Sequence, residues 1–260
     1  MKLTGQVAIV TGGGSGQGRA TALLFAQEGA KVVVGDINEQ GAAETAQMIN
    51  RNEGGQAFSI KTDVTKSGDV QAMVDTALKQ YGRLDILINN AGATLFKGIE
   101  DTTEEEWDRI VNTNLKSIFL GCKAAIPAMR KSGGGSIVNI ASVAGLMGMP
   151  EHFAYCAAKA GAIHMTKSLA LDHGRESIRI NCICPGGVRT PMLNDVIDVN
   201  DPAQINRVGQ QHALGRIAEP EEIARVSLFL CTPDASFMTG AAVTVDGGIA
   251  AGRVGHIHSR

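Results

Sequence analysis

The sequence has no excess of charge of either sign and no long apolar run, and these absences exclude several classes of protein. Its 24 Lys and Arg nearly balance its 26 Asp and Glu, so the net charge is −2. Nucleic-acid-binding and polybasic membrane proteins usually carry a marked positive excess. No apolar run approaches the ~18 residues of a membrane span, and the short run Val7–Val10 is too brief for a signal-peptide core. We therefore expect a globular protein with neither a nucleic-acid nor a membrane partner.

The cysteines form no recognisable framework. They are Cys122, Cys156, Cys182, Cys184 and Cys231. Their number is odd, and no C-x-x-C pair or paired histidine spacing accompanies them, so neither a disulfide scaffold nor a zinc site is expected. Reduced thiols in the core of a cytoplasmic protein are the simplest interpretation. Charged residues are also scarce, at 19% against a usual ~25%, which favours burial of some surface against other subunits.

What the sequence does contain is an alternation of Val- and Ile-rich runs with segments of helical spacing. The strand-like runs are Val7–Val10, Lys31–Asp36, Ala57–Val64, Leu84–Asn89, Ser136–Ser142, Arg179–Pro185 and Ala242–Val245. The helical segments are Gly18–Glu28, Asn38–Asn52, Ser67–Tyr81, Glu104–Lys131, Glu151–His173 and Glu219–Cys231. Nearly continuous apolar strands are typical of a parallel sheet covered on both faces. The alternation predicts one α/β domain over residues 1–260, a doubly wound parallel seven-stranded sheet of the Rossmann type.

Two segments fall outside this alternation. Residues 187–214 are long for a connection in a compact domain, and such segments are commonly functional, so we interpret them as a lid over the substrate. Residues 249–260 follow the last strand and are expected to form a tail. His256 and His258 lie two residues apart in it, but a flexible terminus accounts for them better than a metal site does, and no metal is expected.

A glycine-rich segment, Thr11 to Gly18, joins the first predicted strand to the first predicted helix. Gly12, Gly16 and Gly18 have the spacing G-x-x-x-G-x-G. A backbone that turns this sharply against a pyrophosphate has no room for Cβ atoms, and the following helix presents free N–H groups to the phosphates. A glycine-rich turn without a ligand is the alternative, and the position directly after the first strand argues against it.

Asp36 ends the second predicted strand, 24 residues after Gly12. An acidic residue at about this distance hydrogen-bonds the adenosine ribose in dinucleotide-binding folds. Its carboxylate would also repel a 2′-phosphate, and neither Ser15 nor Ile37 is basic, so NAD is favoured over NADP. A helix N-terminal acid without a ligand is the alternative interpretation.

A second set of candidate residues lies near the fifth predicted strand. Tyr155 and Lys159 are four residues apart in a predicted helix and therefore share one face. An ammonium group ~4 Å from a phenol would stabilise the phenolate by about 4 kcal/mol at an effective dielectric constant of ~20, which would suit Tyr155 to general acid/base work. Ser142 ends the strand, and strand carboxyl ends are where doubly wound sheets bind ligands. We expect these side chains and the glycine segment to meet in one crevice, although a solvated helix pair and a turn cap remain the alternatives.

Taken together, these residues resemble the short-chain dehydrogenase/reductase family, in its short single-domain branch, from about Leu3 to Gly248. The matching pieces are the glycine segment 11–18, Asp63-Val64, Asn89-Asn90-Ala91-Gly92, Asn114, Ser142, Tyr155 with Lys159, Pro185-Gly186, Thr190 and Asp246-Gly247-Gly248. The resemblance implies hydride transfer between an alcohol carbon and the nicotinamide, while Tyr155 exchanges a proton with the substrate oxygen. Lys159 would lower the pKa of Tyr155, and Ser142 would orient the substrate oxygen. Asn114 would support a water-linked proton path through the lysine.

The resemblance also implies the cofactor contacts. The residues expected to bind the dinucleotide are Gly12, Ser15, Gln17, Gly18, Asp36, Asp63, Val64, Asn90, Ala91, Gly92, Tyr155, Lys159, Pro185, Gly186, Val188 and Thr190. Asp63 and Val64 would contact the adenine, whereas Val188 and Thr190 would hold the nicotinamide carboxamide. The resemblance also implies assembly as a homotetramer through the predicted helices 104–131 and 151–173.

The residues near these motifs are mostly apolar and are candidates for the substrate pocket. They are Thr94, Leu95, Val143, Met147, Met149, His152, Gly187 and Met192. Of these, Thr94, Met147, His152 and Met192 are expected, with Ser142, to contact the substrate. No arginine cluster indicates an anionic substrate, so a small or medium, largely apolar alcohol or ketone is expected.

Two alternative functions remain open. A 3-oxoacyl-(acyl-carrier-protein) reductase would fit the same motifs, but that enzyme usually uses NADPH, and Asp36 argues against NADPH. A dinucleotide-binding sensor without catalysis would share the fold, but it would not need the complete set of Ser142, Tyr155 and Lys159.

Overall fold

The computed structural model describes residues 1–198 and 200–252, and within them one parallel sheet has the strand order β3-β2-β1-β4-β5-β6-β7. The strands are β1 (Val7–Thr11), β2 (Lys31–Asp36), β3 (Gln56–Lys61), β4 (Ile86–Asn89), β5 (Gly135–Ile140), β6 (Ile178–Pro185) and β7 (Ala242–Val245). The helices are α1 (Gly16–Gln27), α2 (Glu39–Asn50), α3 (Ser67–Tyr81), α4 (Glu104–Val111), α5 (Ser117–Ser132), α6 (Phe153–His173), α7 (Pro202–Gly209) and α8 (Pro220–Cys231). The predicted doubly wound α/β fold is confirmed.

The apolar strands are sandwiched between two helical layers. On one face, Phe25 of α1 and Ile223 of α8 belong to the same buried cluster as Val10 and Val34 of the sheet. On the other face, helices α3, α5 and α6 cover the sheet, with Met73 among the fully buried side chains. Strands buried on both faces explain why β1, β2 and β4 are nearly continuous apolar runs.

The strand order places the crevice in which such sheets bind ligands. From β1 the chain moves outward through β2 and β3, then returns to β4 on the other side of β1 and moves outward again to β7. The connections that follow β1 and β4 therefore diverge to opposite faces, and a crevice opens between them at the carboxyl ends of the strands. The glycine segment follows β1, and Asn90 to Gly92 follow β4.

The predicted continuous helix 104–131 is wrong in its middle. Residues Asn112–Lys116 form one π turn between α4 and α5, and such widened turns are frequent at functional sites. At the start of α4, Thr103 and Glu106 form a reciprocal capping box, which agrees with interpreting the acidic run as a helix N-terminus.

Two boundaries near the candidate catalytic residues also differ from the prediction. Helix α6 begins at Phe153, not at Glu151, because Glu151 has a left-handed backbone with φ +58°. Strand β5 ends at Ile140, the last residue paired with β6. Ser142 therefore lies two residues beyond the strand, in extended conformation, and caps the short turn Val143–Gly145.

The two irregular segments contain more local structure than a loop and a tail. Residues 187–214 include a 3-10 turn, Pro191–Asp195, and helix α7. Residues Ile249–Ala251, at the start of the segment predicted as a tail, form another 3-10 turn. His256 and His258 lie outside the described residues.

Two features that would change the expected function are absent from the described residues. No helix among residues 1–198 and 200–252 is both long and apolar enough to cross a bilayer. The same residues contain no cluster of three His, Cys, Asp or Glu side chains that could hold a metal ion.

Candidate active site

A cleft of about 590 Å³ opens at the carboxyl ends of the central strands, and it brings most of the predicted site residues together. Predicted residues that line it are Gly12, Ser15, Gln17, Asp36, Asp63, Val64, Asn90, Ala91, Gly92, Thr94, Ser142, Val143, Met149, His152, Tyr155, Lys159, Pro185, Gly186, Gly187, Val188, Thr190 and Met192. They come from every part of the chain between β1 and the segment after β6. One cleft therefore joins the glycine segment to the tyrosine and lysine, as expected from the sequence.

Four predicted residues do not line this cleft. Gly18 and Asn114 are buried behind its wall. Met147 is 40% exposed on the loop before α6, and Leu95 also lies outside the cleft lining. Met147 is not a lining residue because the turn Val143–Gly145 and the loop after it carry the chain outward.

A larger hollow of about 770 Å³ lies near α7 and α8, and two ion pairs lie in its wall. Arg189 Nε lies 3.0 Å from Glu219 Oε1, and Arg216 Nη1 lies 2.7 Å from Glu222 Oε2. Within each of these surface ion pairs, the arginine and the glutamate balance each other's charge. The chemistry therefore belongs to the cleft at the strand ends.

The glycine segment forms the floor of the cleft because side chains are excluded from it. Gly12 and Gly16 have φ of +64° and +50°, in the left-handed region. A Cβ atom on Gly12 would lie 2.9 Å from both the Ala91 Cα and the Asn90 Nδ2 atoms. Asn90 Nδ2 in turn donates to the carbonyl of Thr11 at 2.9 Å. The loops after β1 and β4 are thus locked against each other.

Two side chains that the sequence analysis missed hold the outer side of this segment. Thr45 Oγ1 on α2 donates to the Gly13 carbonyl at 2.9 Å. Arg19 Nη2 donates to the Gly14 carbonyl and also pairs with Glu44 at 3.2 Å. Thr45 lies on the next helix and Arg19 on α1, and neither side chain has a sequence pattern that indicates which backbone carbonyl it bonds.

The cleft floor carries an acceptor that lacks a donor. Gln17 Oε1 is the one side-chain oxygen or nitrogen in the described part of the chain that is fully buried and has no hydrogen-bond partner. A buried acceptor without a partner costs about 1–3 kcal/mol, which binding of a ligand with a hydroxyl or amide donor would relieve. The glycine segment and this orphan acceptor therefore fit a dinucleotide, whose phosphates need N–H donors and whose riboses and carboxamide supply donors.

Asp36 lies at the edge of the cleft with its carboxylate fixed. Oδ2 accepts from the Gly14 N–H and Oδ1 accepts from the Asn38 N–H, both at 2.8 Å. Asn38, not Asp36, caps α2. The carboxylate therefore shapes the glycine segment and also borders the position where an adenosine ribose would bind.

Asp63 and Val64 form the far end of the cleft, after β3. The Thr65 hydroxyl donates to Asp63 Oδ1 at 2.7 Å, and this bond holds the pKa of the Asp63 carboxyl below its ordinary value. A fixed, ionised carboxylate beside an apolar valine suits recognition of the polar edge and the face of an adenine.

Tyr155, Ser142 and Lys159 form the wall opposite the glycine segment. Ser142 Oγ accepts from the Ala144 N–H at 3.1 Å and also hydrogen-bonds the Tyr155 hydroxyl. Ser142 can therefore cap the turn and also orient the substrate oxygen, as the two interpretations of the sequence predict. Lys159 Nζ donates to the Ile140 carbonyl at 2.7 Å and lies 5.5 Å from the centre of the Tyr155 ring.

The electrostatics of this trio differ from the expectation that Lys159 would lower the pKa of Tyr155. Burial raises the pKa of Tyr155 to about 12, and the Ser142 hydrogen bond opposes only part of the rise. Burial also lowers the pKa of Lys159 to about 8. Desolvation favours the neutral form of both groups. Its effect on the pKa of Tyr155 exceeds that of the Lys159 ammonium, which lies over the Tyr155 ring and not beside the hydroxyl. A further positive charge in the cleft would favour the phenolate.

Asn114 sits in the π turn and acts on the backbone of the loop after β4. Its Nδ2 donates to the carbonyls of Ala93 at 2.8 Å and Ile110 at 2.9 Å, and its Oδ1 accepts from the Ala93 N–H at 3.3 Å. A Cβ on Gly92 would lie 2.9 Å from that Oδ1 and 3.7 Å from Lys159 Nζ. The side chain thus positions Gly92 and Ala93 beside the lysine, and the proposed proton path through it stays a prediction.

His212 is a lining residue that the sequence analysis also missed. It is 3% exposed, its Nε2 accepts from the Gly187 N–H at 2.9 Å, and its Nδ1 lies 3.0 Å from the Val208 carbonyl. Because a carbonyl only accepts, Nδ1 carries the proton. The ring therefore ties the end of α7 to the segment after β6.

Comparison with known proteins finds relatives that match almost the whole chain. A family model described as enoyl-(acyl carrier protein) reductase matches residues 12–250. A 3-oxoacyl-(acyl-carrier-protein) reductase from Thermotoga maritima is 39% identical, with 96% of this chain and 99% of that protein covered. A cyclopentanol dehydrogenase from Comamonas is 40% identical, with the same coverage.

A solved structure shows that the likeness extends to the fold. The crystal structure of a levodione reductase superposes with a TM-score of 0.91 at 36% identity, covering 96% of this chain and 99% of that one. The cleft, its glycine floor and its Ser–Tyr–Lys wall occur on the fold that these relatives share. The chain is a member of the short-chain dehydrogenase/reductase family, whose oxidoreductases bind a nicotinamide dinucleotide.

Proposed function

We propose that the protein is an NAD-dependent dehydrogenase that transfers a hydride between a secondary alcohol or ketone and the nicotinamide, with Tyr155 as general acid/base. The observation that carries this proposal is the placement of Ser142, Tyr155 and Lys159 on one wall of the cleft whose floor is the glycine segment. A bound nicotinamide supplies the hydride acceptor or donor, and the protein supplies orientation and proton transfer.

The residues of this chain would divide the work as follows. In alcohol oxidation the Tyr155 oxygen takes the proton of the substrate hydroxyl, and in ketone reduction it returns that proton. Ser142 donates a hydrogen bond to the same oxygen and stabilises its developing negative charge. Lys159, held by the Ile140 carbonyl, keeps an ammonium beside the phenol and can hold a ribose hydroxyl. The positively charged ring of an oxidised nicotinamide would add the charge that favours the phenolate.

Other lining residues would hold the dinucleotide along its length. The diphosphate contacts Gly12, Ser15 and Gln17. Gly18 has no side chain and so lets α1 pack closely against Gly12. Asn90, Ala91 and Gly92 line the middle of the cleft, and Asp63 with Val64 meets the adenine. Pro185, Gly186, Val188 and Thr190 form the wall at the nicotinamide end.

The charge of Asp36 supports NAD as the cofactor. Its carboxylate borders the cleft, and Arg19, the cation near the same loop, is paired with Glu44 and does not line the cleft. A 2′-phosphate placed there would face a carboxylate without a compensating cation, and like charges a few ångströms apart repel by several kcal/mol at an effective dielectric constant of ~20.

Replacing Asp36 with Asn should therefore relax the cofactor preference. Asn keeps an acceptor oxygen for the glycine segment but removes the charge, so we expect the ratio of kcat/KM for NADP over NAD to rise by about tenfold or more. Asp36→Ala should act in the same direction, with some loss of activity for both cofactors because two backbone hydrogen bonds disappear. Added salt screens the repulsion between the carboxylate and the 2′-phosphate, so it should reduce the preference of the wild-type protein for NAD over NADP.

Glu39→Gln is the matched control, because Glu39 is an acid in the first turn of α2 that does not line the cleft. It should leave the cofactor ratio unchanged. An unchanged ratio in Asp36→Asn would show that the carboxylate only supports the loop and does not select the cofactor.

Reduction of a 3-oxoacyl thioester with NADPH is the second candidate, because one of the close relatives carries that name. A simple assay separates it from the first. The protein is mixed with NAD and a panel of secondary alcohols, then with NADPH and acetoacetyl thioesters, and the absorbance of the reduced nicotinamide is followed. Turnover in the first mixture supports our proposal, and turnover only in the second supports the alternative. Dinucleotide binding without turnover in either would support a sensor.

A homotetramer remains the proposed assembly. Phe119 on α5 is 47% exposed and Leu171 on α6 is 86% exposed, and both helices lie on the same face of the sheet. Exposed large apolar side chains on neighbouring helices favour association with another copy of the chain. Light scattering would measure the state directly.

A further inference from the structure

His152 stands beside the proposed proton-transfer residue without taking part in it. It immediately precedes α6, lines the cleft and is 4% exposed. The centre of its ring is 6.0 Å from that of Tyr155, and the ring of Phe96 packs against it at an interplanar angle of 88°. A substrate whose oxygen contacts Tyr155 must therefore lie within reach of this imidazole.

The hydrogen bonds of His152 determine which ring nitrogen carries the proton. Nδ1 lies 3.2 Å from the Pro150 carbonyl, which can only accept, so the proton is assigned to Nδ1. Burial lowers the pKa of the ring, which keeps it neutral. In a neutral imidazole with a protonated Nδ1, the other nitrogen, Nε2, is an acceptor.

Nε2 is available to a ligand. Among the described residues it has no hydrogen-bond partner, yet it is not one of the fully buried, unpartnered atoms, of which Gln17 Oε1 is the single case in that part of the chain. Because the rest of the side chain is buried, the open space that Nε2 meets is the cleft that the residue lines.

The surroundings of Nε2 define the kind of molecule that would use it. Lys159 is the single Lys or Arg among the described residues that line the cleft, and the lining carboxylates, Asp36 and Asp63, lie at the adenine end. Phe96 packs against His152 and the Met149 carbonyl accepts from its N–H, and the cleft lining also includes the apolar side chains of Met192 and Val196. Such a pocket favours a neutral substrate with an apolar body and one additional hydrogen-bond donor.

We propose that His152 Nε2 accepts a hydrogen bond from a second hydroxyl of the substrate, so that the preferred substrates are neutral diols or hydroxyketones whose second hydroxyl lies close to the reacting carbon. This proposal rests on the function proposed above, since it takes the reacting oxygen to be held by Ser142 and Tyr155. His152 is then a specificity residue that distinguishes diols from simple alcohols.

The test compares 1,2- and 1,3-cyclohexanediols with cyclohexanol as substrates of the wild-type protein and of variants at His152. The measured quantity is the ratio of kcat/KM for the best diol to that for cyclohexanol, which cancels any general loss of activity. His152→Phe keeps a ring and removes the acceptor, so the ratio should fall by about tenfold, as expected for one lost hydrogen bond. His152→Gln supplies an amide oxygen and should restore part of it.

The matched control is His164→Phe, because His164 is exposed on α6 and does not line the cleft. It should leave the ratio unchanged. A ratio that is the same in wild type and His152→Phe would overturn the proposal, while turnover of both alcohols would leave the proposed dehydrogenase activity intact.

A binding measurement keeps the two proposals separable if no substrate is turned over. In nitrogen NMR spectra of histidine-labelled protein with NAD, the diol should shift the Nε2 resonance of His152 toward that of a protonated nitrogen, and cyclohexanol should not. A diol-specific shift without turnover would support the hydrogen bond and refute the proposed reaction. Equal responses to both alcohols would refute the hydrogen bond.

Discussion

Replacing Tyr155 with Phe should lower kcat by about 10²–10⁴-fold, the usual contribution of a general acid/base, while NAD still binds. The change removes only the hydroxyl that exchanges a proton with the substrate oxygen. Ser142 remains held by the Ala144 N–H at 3.1 Å and Lys159 by the Ile140 carbonyl at 2.7 Å, so the wall should keep its shape. Initial rates would give kcat, and calorimetry would give the dissociation constant for NAD.

The chain offers a matched control, because Tyr81 is its other tyrosine. Tyr81 lies at the end of α3, where Lys31 stands over its ring at 5.5 Å, and it does not line the cleft. Tyr81→Phe should keep full turnover. Near-normal turnover in Tyr155→Phe would refute the role of the phenol, and a parallel loss of NAD binding would indicate damage to the cleft instead.

The second large effect is expected from adding one methyl group to Gly18. A Cβ there would collide with the Gly12 carbonyl and lie 2.6 Å from Asn90 Nδ2. Either the glycine segment or the loop after β4 must move, so we expect the dissociation constant for NAD to rise at least tenfold, which corresponds to about 1.4 kcal/mol. Overpacking should also lower the free energy of unfolding by about 1–3 kcal/mol, measured by chemical denaturation.

Gly68→Ala is the control for the same substitution in a helix. Gly68 lies in the first turn of α3, and a Cβ there would have no neighbour within 4 Å. Alanine has the higher helix propensity, by about 1 kcal/mol, so this variant should be as stable as wild type or slightly more stable. If Gly18→Ala bound NAD as tightly as wild type, the close packing beneath the glycine segment would not matter for the cofactor.

The sequence predicted the parts of the fold and site that depend on local pattern. Apolar runs located the strands, most of which are buried along their length although β3 and β7 are not, and the glycine spacing located the cleft floor. The π turn at Asn112–Lys116 could not be predicted in the same way, because that segment contains neither glycine nor proline. Within this turn Asn114 bonds Ala93 in the loop after β4, and a contact between such distant segments has no local sequence pattern.

Other misses have the same origin in tertiary contact. His212 bonds a backbone group 25 residues earlier in the chain, and no spacing rule links such positions. Met147 is predicted to contact the substrate from its position near the motifs, but it lies outside the cleft lining, so that contact stays a prediction. The pKa of Tyr155 depends on whether the field of the ammonium exceeds the cost of burial, and only the depth of the cleft decides this.

The most direct measurement of the central claim follows deuterium from the substrate carbon. Secondary alcohols and diols carrying deuterium on the carbinol carbon are incubated with NAD and the protein, and the reduced cofactor is examined by NMR. The account predicts deuterium on nicotinamide C4, with a label that disappears when Tyr155 is replaced by Phe. Reduced cofactor without deuterium, or bound NAD that no alcohol of the panel reduces, would contradict it.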